Sequence, residues 1–272
     1  MPSDTKTDVA KDDLRVDLTG RTAIVTGAAT GIGSAIATRY ALAGANIVID
    51  YPNEQERANA QEVIDAVHRE GGTAQLVCAD VSDERGAERL VAAACDRFGG
   101  LDILVNNAGI EESHPVVELP LEVWERIIRV NLTGTFLCAR AAARAMIARG
   151  RGGRIINISS VHEKLAMPNN SAYCASKGGL RLFMRTLALE LAPHKITVND
   201  VAPGAIATRI NRNVRQDPSD RKELLEEIPL HRVGDPDEVA GLAAYLASGA
   251  AAYVTGATYV IDGGLLQYTK GL

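Results

Sequence analysis

Short apolar runs recur along the chain at Ala23–Val25, Ile47–Ile49, Leu76–Cys78, Ile103–Val105, Arg154–Ile158, Thr197–Val201 and Tyr259–Ile261. They are rich in Val and Ile and show little polar alternation, which suits strands buried on both faces. Between them lie longer stretches with helical periodicity, long enough to serve as crossover connections. Strand and helix therefore alternate. The pattern predicts an α/β fold, a doubly wound parallel sheet of Rossmann type with seven strands and helices on both faces.

Punctuation agrees with that reading. Gly44, Gly71-Gly72 and Gly99-Gly100 each stand between a helical stretch and the next apolar run, where helices end. No Pro/Ser-rich linker divides the chain, so a single domain is expected over 18–272. Residues 1–17 alternate Asp and Lys with few apolar positions and read as a flexible tail. From Asn211 to Arg232 the rhythm breaks into a polar segment with Pro218, Pro229 and a short helical stretch, Ser219–Glu227. Its place after Pro203-Gly204 makes it a lid candidate, because clefts in such sheets open at strand C-termini. A long helical pattern covers Leu121–Ala148, and Trp124 falls among Leu121, Ile127 and Ile128 as a packing residue.

Composition narrows the function classes. At 272 residues, 46% hydrophobic and 23% charged, the chain has the make-up of a globular protein with a full core. A net charge of −5 with scattered Lys and Arg gives no basic stripe, so nucleic acid is not an expected partner. Arg39, Arg140 and Arg144 interrupt the Ala-rich stretches before any reaches the length of a membrane span. Cys78, Cys95, Cys138 and Cys174 are widely separated and read as reduced thiols. With no secretory signal in the tail, a cytoplasmic protein is expected. No Cys/His/Asp cluster has ligand spacing, so no metal is expected.

The candidate chemistry centres on Tyr173-Cys174-Ala175-Ser176-Lys177, which puts a phenol and an amine four positions apart on one helix face. A phenol with a pKa of about 10 needs a nearby cation to act as a base near neutrality. At an assumed separation of about 6 Å and an effective dielectric of about 20, one positive charge supplies roughly 2.8 kcal/mol, or about two pKa units. Upstream, Gly27, Gly31 and Gly33 lie between the first strand and a helix opening near Ile32, where backbone can approach a pyrophosphate. Asp50 ends the second strand about 20 residues on, where a carboxylate accepts from ribose hydroxyls and repels a 2′-phosphate. Asn107-Ala108-Gly109 is a small turn after the fourth strand. Ser159 and Ser160 end the fifth.

Together, Thr26–Gly33, Asn106–Gly109, Asn131, Ile158–Ser160, Tyr173–Lys177 and Pro203-Gly204 resemble the short-chain dehydrogenase/reductase family, in its motif order from about Leu18 onward. The resemblance implies a nicotinamide-dependent oxidoreductase, usually tetrameric, with Asn131, Ser160, Tyr173 and Lys177 as its catalytic tetrad. Ser160 is chosen over Ser159 because it precedes Tyr173 by the family's usual interval of thirteen residues. Gly27, Thr30, Gly31, Ile32, Gly33, Asp50, Tyr51, Asp80, Val81, Asn107, Ala108, Gly109, Tyr173, Lys177, Pro203, Gly204, Ile206 and Thr208 are implied as cofactor contacts. Asn131 is implied to bend its helix and hold a water on its backbone as a relay to Lys177. NAD is the expected cofactor on the strength of Asp50 and Pro52, with NADP as the alternative.

The stretch Ser159–Lys164 is polar where it should enter the substrate pocket, which points to a sugar or polyol. Within the family the resemblance is to glucose 1-dehydrogenase-like members, which implies Glu111 and His162 near the substrate and Gln267 in a tail at subunit contacts. Either Glu111 or its neighbour Glu112 could face inward. Met167, Asn169 and Asn170 depart from the aromatic segment associated with that subgroup, leaving other sugars and alcohols open. Two rival readings are a 3-oxoacyl-carrier-protein reductase, which predicts NADPH and a basic docking patch, and a non-catalytic nucleotide-binding protein. Asp50 and the acidic balance oppose the first, and the retained Tyr173 and Lys177 oppose the second.

Overall fold

The computed structural model describes residues 16–208 and 218–267, with no side chains at 218–220. All seven apolar runs become strands: β1 (Thr22–Val25), β2 (Asn46–Tyr51), β3 (Thr73–Cys78), β4 (Ile103–Asn106), β5 (Gly153–Ile158), β6 (Ile196–Pro203) and β7 (Thr258–Ile261). They form one parallel sheet in the order β3-β2-β1-β4-β5-β6-β7. The winding reverses between β1 and β4, and a crevice opens beyond the strand C-termini at that point.

The strands alternate their side chains between two cores, as a period of two requires. Ala23, Val25, Ile47 and Ile49 pack with α1 (Gly31–Leu42), α2 (Arg57–Arg69) and Val239 and Ala243 of a late helix, Pro236–Ala247. Ile24, Val48, Val198 and Ile196 pack on the other face with α3 (Glu84–Phe98), α5 (Thr135–Arg149) and α6 (Ser171–Leu191). The late helix is α8, because α4 is Leu121–Ile128 and α7 is Pro218–Glu227.

Two expectations need adjustment. The helical pattern over 121–148 is interrupted by a π-helical stretch, Arg129–Gly134, between α4 and α5. Val16 packs against the first core and Asp17 Oδ1 accepts from Thr19 N at 2.8 Å, so the two last residues of the expected tail belong to the fold. The rest of that tail lies outside the described residues. Of the lid candidate, residues 211–217 also lie outside them, together with 209 and 210. Beyond its far end, Gly234 pairs with the segment that follows β6, donating to Ala205 O and accepting from Ala207 N, both at 2.9 Å. Among the described residues no helix is long and apolar enough to cross a membrane.

Candidate active site

A cavity of about 500 Å³ opens at the C-terminal ends of the central strands. One half is walled by Gly27, Thr30, Gly31, Ile32, Asp80, Val81 and the turn Asn107–Gly109; the other half by Ser160, His162, Tyr173, Lys177 and Glu111. Pro203, Gly204, Ile206 and Thr208 lie along it, with Leu224 of α7 and Leu265 at its rim.

The first half is pinned by backbone. Thr26 Oγ1 accepts from Asn107 N at 2.9 Å and from Ala108 N at 3.0 Å, while the Asn107 side-chain amide donates to Thr26 O at 2.9 Å and Gly27 O at 3.0 Å. The β1 and β4 turns are thereby tied together. A Cβ at Gly27 would lie 2.9 Å from Ala108 Cα, and its φ of 60° is itself in the left-handed region. Gly33 faces inward: a Cβ there would lie 2.5 Å from both Asn107 Nδ2 and Gly27 O. Gly33 therefore shapes the loop, and does not line the cavity as a cofactor contact would.

Asp50 Oδ2 accepts from Gly27 N at 3.0 Å, and Oδ1 is buried without a hydrogen-bond partner. Burial pushes this carboxyl up to about 7, with the Gly27 amide opposing and Asp80 adding to the rise. Tyr51, implied as a second contact at this strand end, points to the other face and packs into the first core; it is absent from the cavity wall. The unpaired carboxylate oxygen and the close glycine backbone fit the ribose and pyrophosphate of a nicotinamide dinucleotide.

The second half is built from side chains. On α6, Lys177 Nζ donates to Ile158 O at 2.8 Å and lies 5.6 Å from the centre of the Tyr173 ring. Ser160 Oγ accepts from His162 N at 3.2 Å, and Ser160 also shares a hydrogen bond with Tyr173. Burial holds the Tyr173 phenol above its ordinary range, with the Ser160 hydrogen bond opposing and Glu111 adding to the rise. The downward shift expected from Lys177 is not among the influences on this phenol, whose one lowering partner is Ser160. Lys177 is itself lowered by burial, to about 8, with Asp200, Glu163 and Glu111 opposing in that order.

Asn131 lies in the π-helical stretch and is buried. Its side chain accepts from Ile110 N at 2.8 Å and donates to Ile110 O at 2.9 Å and Ser176 Oγ at 3.2 Å. It staples the loop after Gly109 and so aims the next residue, Glu111, at the cavity. Glu112 turns outward to His114 and Arg126. The choice between the two glutamates is settled in favour of Glu111, whose carboxyl burial raises while His162 and Lys177 oppose.

The polar stretch 159–164 divides. His162 reaches the cavity, whereas Glu163 is buried behind it, accepting from Ser159 Oγ at 2.9 Å and facing Arg181 Nε at 3.4 Å. Part of that polarity serves the fold. Asn170 is also turned away, accepting from Ser113 Oγ at 3.0 Å, and only Met167 of the departing segment lines the cavity. Gln267 is exposed at the end of the described chain, and its neighbour Leu265 is the one at the cavity. Sequence reasoning passed over Asp200, although a carboxylate inside the apolar run Thr197–Val201 was a signal in plain view. Among the described residues no group of three or more His, Cys, Asp or Glu could hold a metal ion.

A family model described as enoyl-(acyl carrier protein) reductase matches residues 27–266. Glucose 1-dehydrogenase 2 of Bacillus subtilis (strain 168) is 45% identical over 258 residues, covering 94% of this chain and 98% of that protein. 3beta-Hydroxysteroid dehydrogenase 1 of Eggerthella lenta is also 45% identical, covering 93% and 96%. Among solved structures, a gluconate 5-dehydrogenase from Burkholderia cenocepacia J2315 in complex with NADP and tartrate superposes with a TM-score of 0.88 at 38% identity, covering 94% and 98%. The chain belongs to the short-chain dehydrogenase/reductase family. It is a nicotinamide-dependent oxidoreductase acting on CH–OH or C=O groups.

Proposed function

We propose that this enzyme oxidises a neutral polyhydroxylated substrate, with an aldose hemiacetal at C1 as the leading case and NAD as the preferred cofactor. The observation that carries the substrate class is the pair Glu111 and His162 on the cavity wall beside Ser160 and Tyr173. His162 Nδ1 lies 3.0 Å from Leu165 O; a carbonyl only accepts, so Nδ1 carries the proton and a neutral ring leaves Nε2 as an acceptor. Glu111 is a second acceptor. Two acceptors beside the reacting position suit hydroxyl groups, each of which would cost about 1–3 kcal/mol to bury unpaired.

Bound nicotinamide dinucleotide supplies the hydride-acceptor chemistry. Gly27, Thr30, Gly31 and Ile32 would hold its pyrophosphate, Asp50 Oδ1 the adenosine ribose, and Asn107–Gly109 with Pro203, Gly204, Ile206 and Thr208 the nicotinamide end. Ser160 donates to the substrate oxygen and Tyr173 accepts its hydroxyl proton as the C1–H bond breaks, giving a lactone. Lys177 favours the phenolate, and Asn131 passes protons onward through backbone-held water. Asp50 supports NAD because a 2′-phosphate would meet its carboxylate. The same reading takes the enzyme as a single-domain homotetramer of the cytoplasm, whose reducing conditions suit its four free cysteines.

The test is a panel of aldoses, polyols and secondary alcohols with NAD and NADP, run on the enzyme and on Tyr173→Phe. Lactone formation from an aldose, higher efficiency with NAD and loss of turnover in the variant are expected. Efficient reduction of acetoacetyl thioesters with every aldose and polyol untouched would replace this reading with a 3-oxoacyl reductase. Light scattering checks the tetramer.

A further inference from the structure

We propose that Asp200, assisted by Glu163, is a positioning residue that keeps Lys177 in its ammonium form and so governs the pH range over which the site works. This rests on Tyr173 and Lys177 being the proton-transfer pair.

β6 is buried along its whole length, and a carboxylate in such a strand requires compensation. Asp200 is fully buried, and its strand neighbours at the same period-two positions, Ile196 and Val198, pack in the core that contains α6. Its side chain is therefore directed to the α6 side. A hydrogen-bonded chain fixes it there: Asn106 Nδ2 donates to Asn157 Oδ1 at 2.9 Å, and Asn157 Nδ2 donates to Asp200 Oδ1 at 2.8 Å. The chain crosses β4, β5 and β6 and leaves Asp200 Oδ2 buried with no hydrogen-bond partner.

α6 carries Lys177, Arg181 and Arg185 at four-residue spacing, and Lys177 Nζ reaches Ile158 O at 2.8 Å, one residue beyond Asn157, which is in register with Asp200. Glu163 enters the same space from the turn after β5, facing Arg181 at 3.4 Å. Lys177 is acted on by Asp200 from β6, Glu163 from the turn after β5 and Glu111 from the loop after β4, and it shares the cavity with His162 and the Tyr173 ring; Asp200 is acted on in turn by Glu163, Lys177 and Arg185. The charged residues of α4 and the π-helical stretch, Glu122, Glu125, Arg126 and Arg129, are exposed to water.

Desolvation drives both members of the pair toward neutrality, raising Asp200 and lowering Lys177. Among the influences that restore charge to the lysine, Asp200 comes first and Glu163 second. Charge on the lysine thus depends on charge behind it, on the side away from substrate. Without Asp200 the lysine loses its proton at lower pH, and Tyr173 loses the cation that favours its phenolate.

The test follows the lysine directly in the full-length protein. With 13C-labelled lysine, the side-chain resonance of Lys177, assigned by Lys177→Arg, reports its titration midpoint in the unaltered protein, in Asp200→Asn and in Glu163→Gln. Asp200→Asn keeps shape and the acceptor for Asn157; its midpoint should fall by about one pH unit, with a smaller fall in Glu163→Gln. In turnover of D-glucose with NAD, the alkaline limb should move down by the same amount. A structural role alone would lower thermal stability and leave the titration where it was. An unmoved midpoint in the folded variants overturns the proposal, and Glu163→Gln decides it if Asp200→Asn does not fold. Should Tyr173→Phe keep normal turnover, the underlying catalytic assignment fails instead, whatever the lysine does.

Discussion

The two halves of the cavity are made of different material. Around Gly27 and Asn107 the wall is backbone, locked by Thr26 and the Asn107 amide, and glycine Cβ positions are already occupied by neighbouring atoms. Around Tyr173 the wall is side chains, held by Lys177, Ser160 and the Asn131 staple and backed by buried acids. The first half is rigid by steric exclusion, and its carboxylates are confined to Asp50 and Asp80. The second is set by charge. Relatives named for glucose and for a steroid are both 45% identical to this chain, so overall identity does not choose the substrate, and the side-chain half of the cavity is where that choice is to be sought.

The contrast can be broken at either side. The largest effect is expected at Tyr173→Phe, where turnover should drop by about a thousandfold while fluorescence titration finds dinucleotide affinity little changed. Comparable losses in both would mean the halves are not separable.

Next is Asp50→Asn. The carboxyl is raised from 3.8 to about 7 in the folded chain, so above pH 4 the unfolded chain has released a proton that the folded chain still holds. Stability should fall as pH rises from about 4 to about 7, by no more than about 4 kcal/mol for a shift of that size. Urea midpoints at pH 5 and 7.5 should differ less in the variant. Its NAD over NADP preference should narrow as well, and an unchanged ratio of efficiencies would deny Asp50 its selective role.

Gly33→Ala should cost about 1–3 kcal/mol of unfolding free energy, because the new methyl group meets Asn107 and Gly27 backbone that cannot move apart. Denaturant melts measure it. The smallest effect sharpens the other side: Glu111→Gln should raise the KM for an aldose about tenfold. Glu112→Gln, which alters the partly exposed pairs with His114 and Arg126 away from the cavity, should leave it unchanged.

What could be read in the chain follows the same division. All seven strands and the glycine turn were visible because burial on both faces and backbone proximity impose residue types locally. The lengths were underestimated where polar residues such as Thr73 and Gln75 join the β3 ladder. The pocket side was harder, because its roles are assigned by tertiary contact: nothing local separates Glu111 from Glu112, or tells that Glu163 serves Arg181 while His162 faces the cavity. Tyr51 was misplaced for a related reason, since alternation along β2 lets only one of two adjacent residues reach the crevice. The helix break at 129–134 surrounds Asn131, where the family resemblance implied a bend, although the apolar periodicity runs through it unmarked.

That break makes the chain unusually sensitive to length at one spot. A π turn accommodates a residue more than an α turn does, and each residue rotates a helix by about 100°. A one-residue deletion within Arg129–Gly134 would let α4 and α5 fuse into an uninterrupted helix, locally more regular than before. Everything beyond it would then face the wrong way: Cys138, Ala142 and Met146 would turn from the second core, or else Asn131 would swing off Ile110. A reading-frame-preserving indel here would yield a better helix and a worse enzyme.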